Sequence, residues 1–461
     1  MPPDNTPAIG FDYGTSNCAM SVRDSNGLRL IPLQGSNSPF IPSALYAIER
    51  EYISDNVVRA ITDKPTQTAL AEQRSTLLNV ARLKHREAGT SPEETVIYLG
   101  EQAIDLYLQQ PDEGYFIKSP KSFLGATGLA DEAIAFFEDV VTWMMQQLVS
   151  RATSQLQQQP RQTVIGRPVN FQGANVERSN QQAIGILTTA AQRAGFTDIE
   201  FMIEPVAAGM AFEQTLQQNQ CVLVVDIGGG TSDVALLQMG PDFRNNFNRD
   251  DDILGHSGER IGGNDLDIQL SFRHLMPIFG LGTQLKNGLP MPAHPFWLAV
   301  SVNDVNLQTE FYKPATLREL KQLHIDSKDK QRFSRLLSLR KNQQNYQLVR
   351  SAELAKIELS SKANSEINLE FVEPELATPV SQVSLEETTA NIVTGMMALI
   401  TEVTTQASVP PDCVFITGGS AKSPMIRKAI EHQLGRLPIF DGDDFGSVAA
   451  GLGQWASVIY R

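Results

Sequence analysis

Two stretches, IGFDYGTSN (Ile9 to Asn17) and VVDIGGGTSD (Val224 to Asp233), say the same thing twice: an apolar strand delivers an aspartate into a Gly-Thr-Ser turn. The β-formers on the approach (Ala8, Ile9 and Phe11; Val222 to Val225 and Ile227) predict two buried strands. The glycines let backbone N–H groups crowd an anion without a Cβ in the way, so phosphate is the natural guest of each turn.

A second repeat interleaves with the first. Val206-Ala207-Ala208-Gly209 recurs as Val448-Ala449-Ala450-Gly451, each in an Ala/Gly-rich segment of helical character. The order is turn, small-residue helix, turn, small-residue helix, which divides the chain into two similar halves. Small side chains let two helices cross closely, setting the halves face to face with one phosphate turn on each wall of a cleft.

Composition bounds the rest. The 461 residues are 41% hydrophobic with mixed helix and strand signals, so the chain reads as an α/β globular protein of two large, subdivided lobes. A net charge of −14 argues against a broad nucleic-acid or anionic-membrane surface, while leaving room for one anion in a local pocket. Cys18, Cys221 and Cys413 lie far apart in or beside apolar strands and read as buried, reduced thiols, which points to a cytoplasmic location. MPPDNTPAIG lacks the basic and apolar regions of a secretory signal. Ile392 to Val403 is too short to span a bilayer and is expected to be a core helix.

Along the chain, Ala19 to Arg23 and the turn Asp24-Ser25-Asn26-Gly27 predict a hairpin, and Asn56 to Gln110 reads as helical and charged. A long helix is expected over Glu132 to Gln158. Strand Thr163 to Ile165, helix Asn180 to Ala194 and strand Glu200 to Ile203 then lead into Glu204-Pro205, with proline suited to a first helical turn. Pro277 to Pro295 is Gly/Pro-rich and Lys313 to Gln344 basic, so this region reads as an insertion or peripheral subdomain. Beyond it come helix Gln347 to Ser361, strand Glu366 to Phe371, helix Leu385 to Ala407 and strand Cys413 to Thr417. Gly418-Gly419-Ser420 follows, and Ser423-Pro424 is expected to cap the next helix.

Asp12 and Asp226 each end a strand beside a glycine turn. Alone, either could be a turn or cap residue. As a pair facing one cleft their charges repel, and Mg²⁺ held through water by both carboxylates and by phosphate oxygens suits that arrangement. Gly14, Thr15, Ser16, Gly228, Gly229, Gly230 and Thr231 offer backbone donors and hydroxyls within the turns. Glu204 could stabilise its helix N-terminus, or order water beside Asp226. Lys121 in KSPKSFLG would ordinarily be a surface lysine. Glu353, Lys356 and Ser360 share one helix face with Ile357, a pattern that by itself most often means an i,i+3 ion pair. The six histidines show no metal-ligand spacing.

Together FDYGTSN, KSFLG, IEPVAAG, VVDIGGGTSD, IGGNDLD (Ile261 to Asp267), SAELAKIELSS (Ser351 to Ser361), FITGGS and SVAAGL resemble the nucleotide-binding domain of the heat shock protein 70 family (DnaK-type chaperones) over nearly the whole chain. The pattern is most similar to short, divergent bacterial chaperone-like members. The resemblance implies the two-lobed actin-like ATPase fold of the actin and hexokinase superfamily, built from duplicated ribonuclease H-like domains around an ATP cleft. Lobe I would cover about residues 1–215, with a peripheral subdomain at about 43–162 and the C-terminal helix (435–461) returning to it. Lobe II would cover about 216–434, with an enlarged peripheral subdomain at about 263–379.

The same resemblance makes Asp12, Thr15 and Ser16 the first phosphate loop and Asp226 to Thr231 the second, with Asp12 and Asp226 serving Mg²⁺. Lys121 falls on the catalytic lysine and Glu204 on the water-ordering glutamate. Gly262, Gly263, Glu353, Lys356, Ser360, Gly418, Gly419 and Ser420 would hold the adenosine of ATP or ADP. Ile357 and Lys422 stand where many members place two arginines against adenine, and Phe445-Gly446 replaces an acidic pair. After SVAAGL the chain stops at Trp455 to Arg461, without the family's acidic-leucine linker or β-sandwich peptide-binding domain. The expectation is a slow, Mg²⁺-dependent ATPase that works with nucleotide and with protein partners or co-chaperones, and with neither nucleic acid nor membrane. A sugar-type kinase of the same superfamily, a filament-forming actin relative and a non-hydrolysing nucleotide sensor are the alternatives.

Overall fold

The computed structural model describes residues 7–25, 27–34, 38–91, 93–171, 175–244, 246, 248–443 and 446–460. Asn26 of the first hairpin turn, the first six residues, Phe445 and Arg461 lie outside the described residues.

The duplication read from the two turns is visible in the sheets. In the first, the main strand order is Gly27–Leu30, Asn17–Asp24, Ile9–Tyr13, Gln162–Arg167, Asp198–Ile203; the first three are antiparallel neighbours, and the last two run parallel to Ile9–Tyr13. The second sheet repeats that order and those directions with Ile253–Glu259, Ser232–Met239, Gln220–Ile227, Cys413–Thr417 and Ile439–Asp441. In both, the strand that delivers the aspartate is central. Ile9, Phe11 and Tyr13 are fully buried, as are Val222 to Val225, because a central strand is covered on both faces and needs a nearly continuous apolar run.

The small-residue helices Glu204–Glu213 and Ser447–Ile459 join the halves. They pack on each other so closely that a Cβ on Gly451 would overlap the Ala207 carbonyl. The cluster around this crossing draws Val164 from the first sheet, Val222, Val224 and Phe415 from the second, and Val206, Val448 and Leu452 from the helices. A two-lobed α/β molecule follows.

Each half carries a periphery. In the first, Ala44–Ala47 is the middle strand of a three-stranded sheet between Ile97–Leu99 and Tyr115–Lys118. The stretch Asn56 to Gln110 is therefore not helical throughout: Ile97–Leu99 interrupts it, a strand too short to show alternation and stabilised by partners some fifty residues away. In the second half the Gly/Pro-rich and basic region folds into helices His294–Val300, Val305–Tyr312, Pro314–Asp326 and Lys330–Lys341. They surround an apolar core that includes Phe296, Phe311, Phe333 and Leu336.

Three local expectations are corrected. The strand expected to reach Phe371 covers Asn364–Asn368, after which the chain turns, with Val372 N–H donating to the Leu369 carbonyl. Ser423 precedes helix Pro424–Leu434 but its side chain makes no cap hydrogen bond. Cys18 and Cys413 are buried, whereas Cys221 is partly exposed; all three are free thiols. Among the described residues, no helix is long and apolar enough to cross a membrane.

Candidate functional site

A cavity of about 540 Å³ opens between the halves. Both aspartates line it, as do Gly14, Thr15, Ser16, Glu204, Gly228, Gly229, Gly230 and Thr231. At its other end the walls are Gly263, Glu353, Lys356, Ile357, Ser360, Gly418, Gly419, Ser420 and Lys422. Two expected residues stand behind the wall. Lys121 is buried and donates to the Glu204 carboxylate and, at 3.4 Å, to the Gly166 carbonyl. Gly262 backs the second turn: a Cβ there would lie 2.7 Å from the Gly229 carbonyl.

The two turns interlock. A Cβ on Gly229 would strike the Ser16 hydroxyl, and one on Gly230 would come within 2.7 Å of the Thr15 methyl. Gly228 N–H donates to the Thr231 carbonyl at 2.9 Å, closing the second turn, while Gly263 N–H and the Ser420 hydroxyl donate to the Gly228 carbonyl at 3.0 and 3.1 Å. Gly418 has φ of +90°, which a side chain would strain, and a Cβ there would also meet the Asp226 carboxylate at 2.7 Å.

Sequence reading passed over two residues beside the glycine turns. Asp233 is directly opposite Asp226 in the antiparallel ladder, so both side chains emerge on one face. The signal was available, since the two aspartates are symmetric about the GGGT turn; the matching position in the first hairpin, opposite Asp12, is Ala19. Ser43 is the other. Its hydroxyl donates to the Gly14 carbonyl at 2.6 Å, its N–H to the Ser16 carbonyl at 2.9 Å, and its carbonyl accepts from Ser119 N–H at 2.7 Å. It thus ties the first turn to the short helix Pro120–Phe123 that carries Lys121. Ser119 has φ of +56°, a left-handed conformation held by these contacts.

Electrostatics set this end apart. Four carboxylates (Asp12, Glu204, Asp226 and Asp233) act on the Lys121 ammonium, and the Arg167 guanidinium faces two of them, Glu204 and Asp233. Burial and then Glu204 push Asp12 up to about 7, with Lys121 opposing. Burial, Glu204 and the neighbouring aspartates hold Asp226 well above the usual carboxylate range. Asp233 is raised to about 7 by burial and by Glu204, although Val169 N–H, at 2.7 Å, and Thr231 favour its charged form. Burial alone would depress Lys121, but Glu204 and Asp12 outweigh it and raise its pKa. The site has an excess of negative charge that a cation would relieve. Among the described residues no three His, Cys, Asp or Glu side chains converge as direct metal ligands.

The far end is built differently. Lys356 Nζ lies 2.7 Å from Asp267 and 2.9 Å from the Gly263 carbonyl, while Glu353 accepts from Lys118 at 3.0 Å and lies 3.7 Å from Arg350, one turn earlier on its own helix. Ile357, 58% exposed, presents an apolar face.

Twin sheets of one strand order, closing paired glycine turns on a shared cavity, define the actin-like ATPase fold. The model of the family described as Hsp70 protein matches residues 8–280 and 324–459, and the chain belongs to that family. It is 23% identical to chaperone protein DnaK of Deinococcus deserti over 98% of its own length and 59% of the relative's. It is 24% identical to chaperone protein DnaK of Thermus thermophilus, over 94% of this chain and 57% of that protein. The chain therefore spans a little under three-fifths of these relatives.

Proposed function

We propose that the protein binds ATP in this cavity and hydrolyses it slowly, as the motor of a chaperone-type cycle read out by protein partners. The observation that carries the reading is the meshing of the two phosphate turns around one cavity, with the Lys121–Glu204 pair at its acidic end. Triphosphate oxygens would accept from the backbone N–H groups and hydroxyls of Thr15, Ser16 and Gly228 to Thr231. The nucleoside would lie toward Glu353, Lys356, Ser360 and Gly418 to Ser420, its purine against Ile357 and Lys422.

Hydrolysis by such a site is positioning and electrostatics. Glu204, Asp226 and Thr231 would hold the attacking water in line with the γ-phosphorus, Glu204 being fixed by its bond to Lys121. The Lys121 ammonium would offset charge growing on the transferred phosphoryl group. The donor set also fits Mg²⁺: Asp12 and Asp226 would hold it through water, which agrees with the surplus carboxylates and with the lack of a direct three-ligand cluster among the described residues. When bound, it would neutralise phosphate charge.

A sugar-type kinase needs a base for an acceptor hydroxyl, and the pairing of Glu204 with Lys121 favours water instead. Calorimetry with ATP, ADP and GTP with and without Mg²⁺, followed by single-turnover hydrolysis, tests the reading. Saturable Mg²⁺-dependent ATP binding with release of free phosphate is expected; transfer of phosphate to sugars with little free phosphate would overturn it.

A further inference from the structure

Charge is unevenly spread along this chain. Between Lys313 and Lys341 stand nine lysines and arginines against three acids, a surplus of six cations in a protein whose net charge is −14. The family model leaves residues 281–323 unmatched, so the basic stretch begins outside the family pattern.

Local structure gathers part of it beside exposed apolar groups. Helices Pro314–Asp326 and Lys330–Lys341 bury Leu320, Phe333, Leu336 and Leu339 in the peripheral core of the second half, and leave Arg318, Lys321 and Lys330 exposed. The hairpin from Gln284 to Pro290 is fastened to the turn between these helices: Leu285 bridges Ser327, Lys286 N–H donates to the Asp326 carbonyl at 2.8 Å, and Lys328 N–H donates to the Gln284 carbonyl at 3.0 Å. Leu285 and Leu323 pack on the core. Leu289, at the end of the hairpin, and Ile325, just before the bridge, do the opposite and are 60% and 54% exposed.

Cations flank these two residues on every strand of chain that meets there. Arg318 and Lys321 share the helix face of Ile325, seven and four residues before it. Lys286 comes from the hairpin, Lys328 from the turn and Lys330 from the start of the next helix. Among the described residues Lys286, Arg318, Lys321 and Lys330 form no ion pair, and Lys328 donates to the neutral Gln284 side chain at 2.8 Å. The nearby acids are engaged elsewhere: Asp329 caps its helix and pairs with Arg332, and Asp326 accepts from Gln322.

We infer that this corner of the second half is a docking surface for another protein, and that the segment it takes is acidic with an apolar side chain among its carboxylates. Charge complementarity sets the first requirement, since cations without local partners attract an acidic chain and repel a basic one. Leu289 and Ile325 set the second, because an apolar side chain seated on them removes hydrocarbon from water on both partners. A nucleic acid meets the first requirement and not the second, as its backbone presents phosphate where this surface presents hydrocarbon. None of these residues lines the 540 Å³ cavity, so the surface stands whether or not nucleotide binds there.

The probe is a fluorescein-labelled dodecapeptide of Glu-Glu-Leu repeats, titrated by anisotropy with the full chain at low salt and without nucleotide. Micromolar, saturable binding that weakens as salt rises is expected. Lys321→Glu, Lys328→Glu, Ile325→Ser and Leu289→Ser are each expected to weaken it at least fivefold with unfolding midpoints unchanged, the last two at surface positions where substitution costs little. A Glu-Glu-Ser dodecapeptide should bind at least tenfold more weakly than the Glu-Glu-Leu peptide. No binding, or binding untouched by all four variants, would overturn the docking surface. Equal binding of the two peptides, tighter binding of oligouridylate than of either, or self-association of the chain abolished by Lys321→Glu would each overturn it too, in favour of bare charge, a nucleic acid or a second copy. A chain that takes the peptide but binds no ATP would overturn the proposed function alone.

Discussion

Gly451 of the last helix sits against the carbonyl of Ala207 in the helix that begins at Glu204, leaving no room for a side chain between them. Residues 244 positions apart thus set the spacing of the halves, and with it the separation of the two glycine turns. Gly451→Val is expected to cost about 3 kcal/mol or more, because the obstacle is backbone and cannot rotate away. Denaturant unfolding measures it; a loss below about 1 kcal/mol would mean that the helices separate freely.

Lys121 has Glu204 as its carboxylate partner and no place on the cavity wall. Lys121→Ala is expected to lower single-turnover hydrolysis about 10²- to 10³-fold while ATP affinity changes little. An unaltered rate would remove Lys121 from the chemistry.

The carboxylates give the ligand-free protein a distinctive pH response. Asp233 is raised to about 7 when folded, against 3.8 as its unperturbed value. Between these limits the folded state binds a proton that the unfolded state has released. Stability therefore falls as pH rises from about 4 to about 7 and levels off above. Asp233→Asn should flatten the slope, and above pH 7 it should stabilise the ligand-free protein by about 1 kcal/mol or more. Thermal melts across this range test the sign: stability rising through the window would contradict it.

Ile357 offers its exposed apolar face to the cavity where a purine would lie. Ile357→Asp is expected to weaken ATP binding about tenfold, near 1.4 kcal/mol, with the single-turnover rate at saturation preserved. Calorimetry reads the first quantity and rapid-quench hydrolysis the second.

How much was legible follows from the range of each interaction. The central strands were plain because both faces are buried, so every residue from Val222 to Val225 had to be apolar. The helix crossing was plain because only small residues permit it. Ile97–Leu99 was not, since three residues carry no period and its partner is remote. Lys118 and Asp267, which pair with Glu353 and Lys356, were hidden for the same reason, since they come from other elements; Arg350, 3.7 Å from Glu353 on its own helix, lay within reach of i,i+3 spacing. Asp233 was within reach, because a hairpin's register follows from the centre of its turn.

The contrast between Asp233 and Ala19 makes the two-fold likeness of the halves incomplete where the chemistry would occur. Both hairpins carry a glycine turn beside the cavity, but only the second sets another carboxylate opposite its aspartate. Grafting the missing acid onto the other wall, as Ala19→Asp, would add a further negative group to a crowded pocket and raise the need for counterions. The duplicated architecture is thus uneven at its centre, with one methyl group where its twin has a carboxylate.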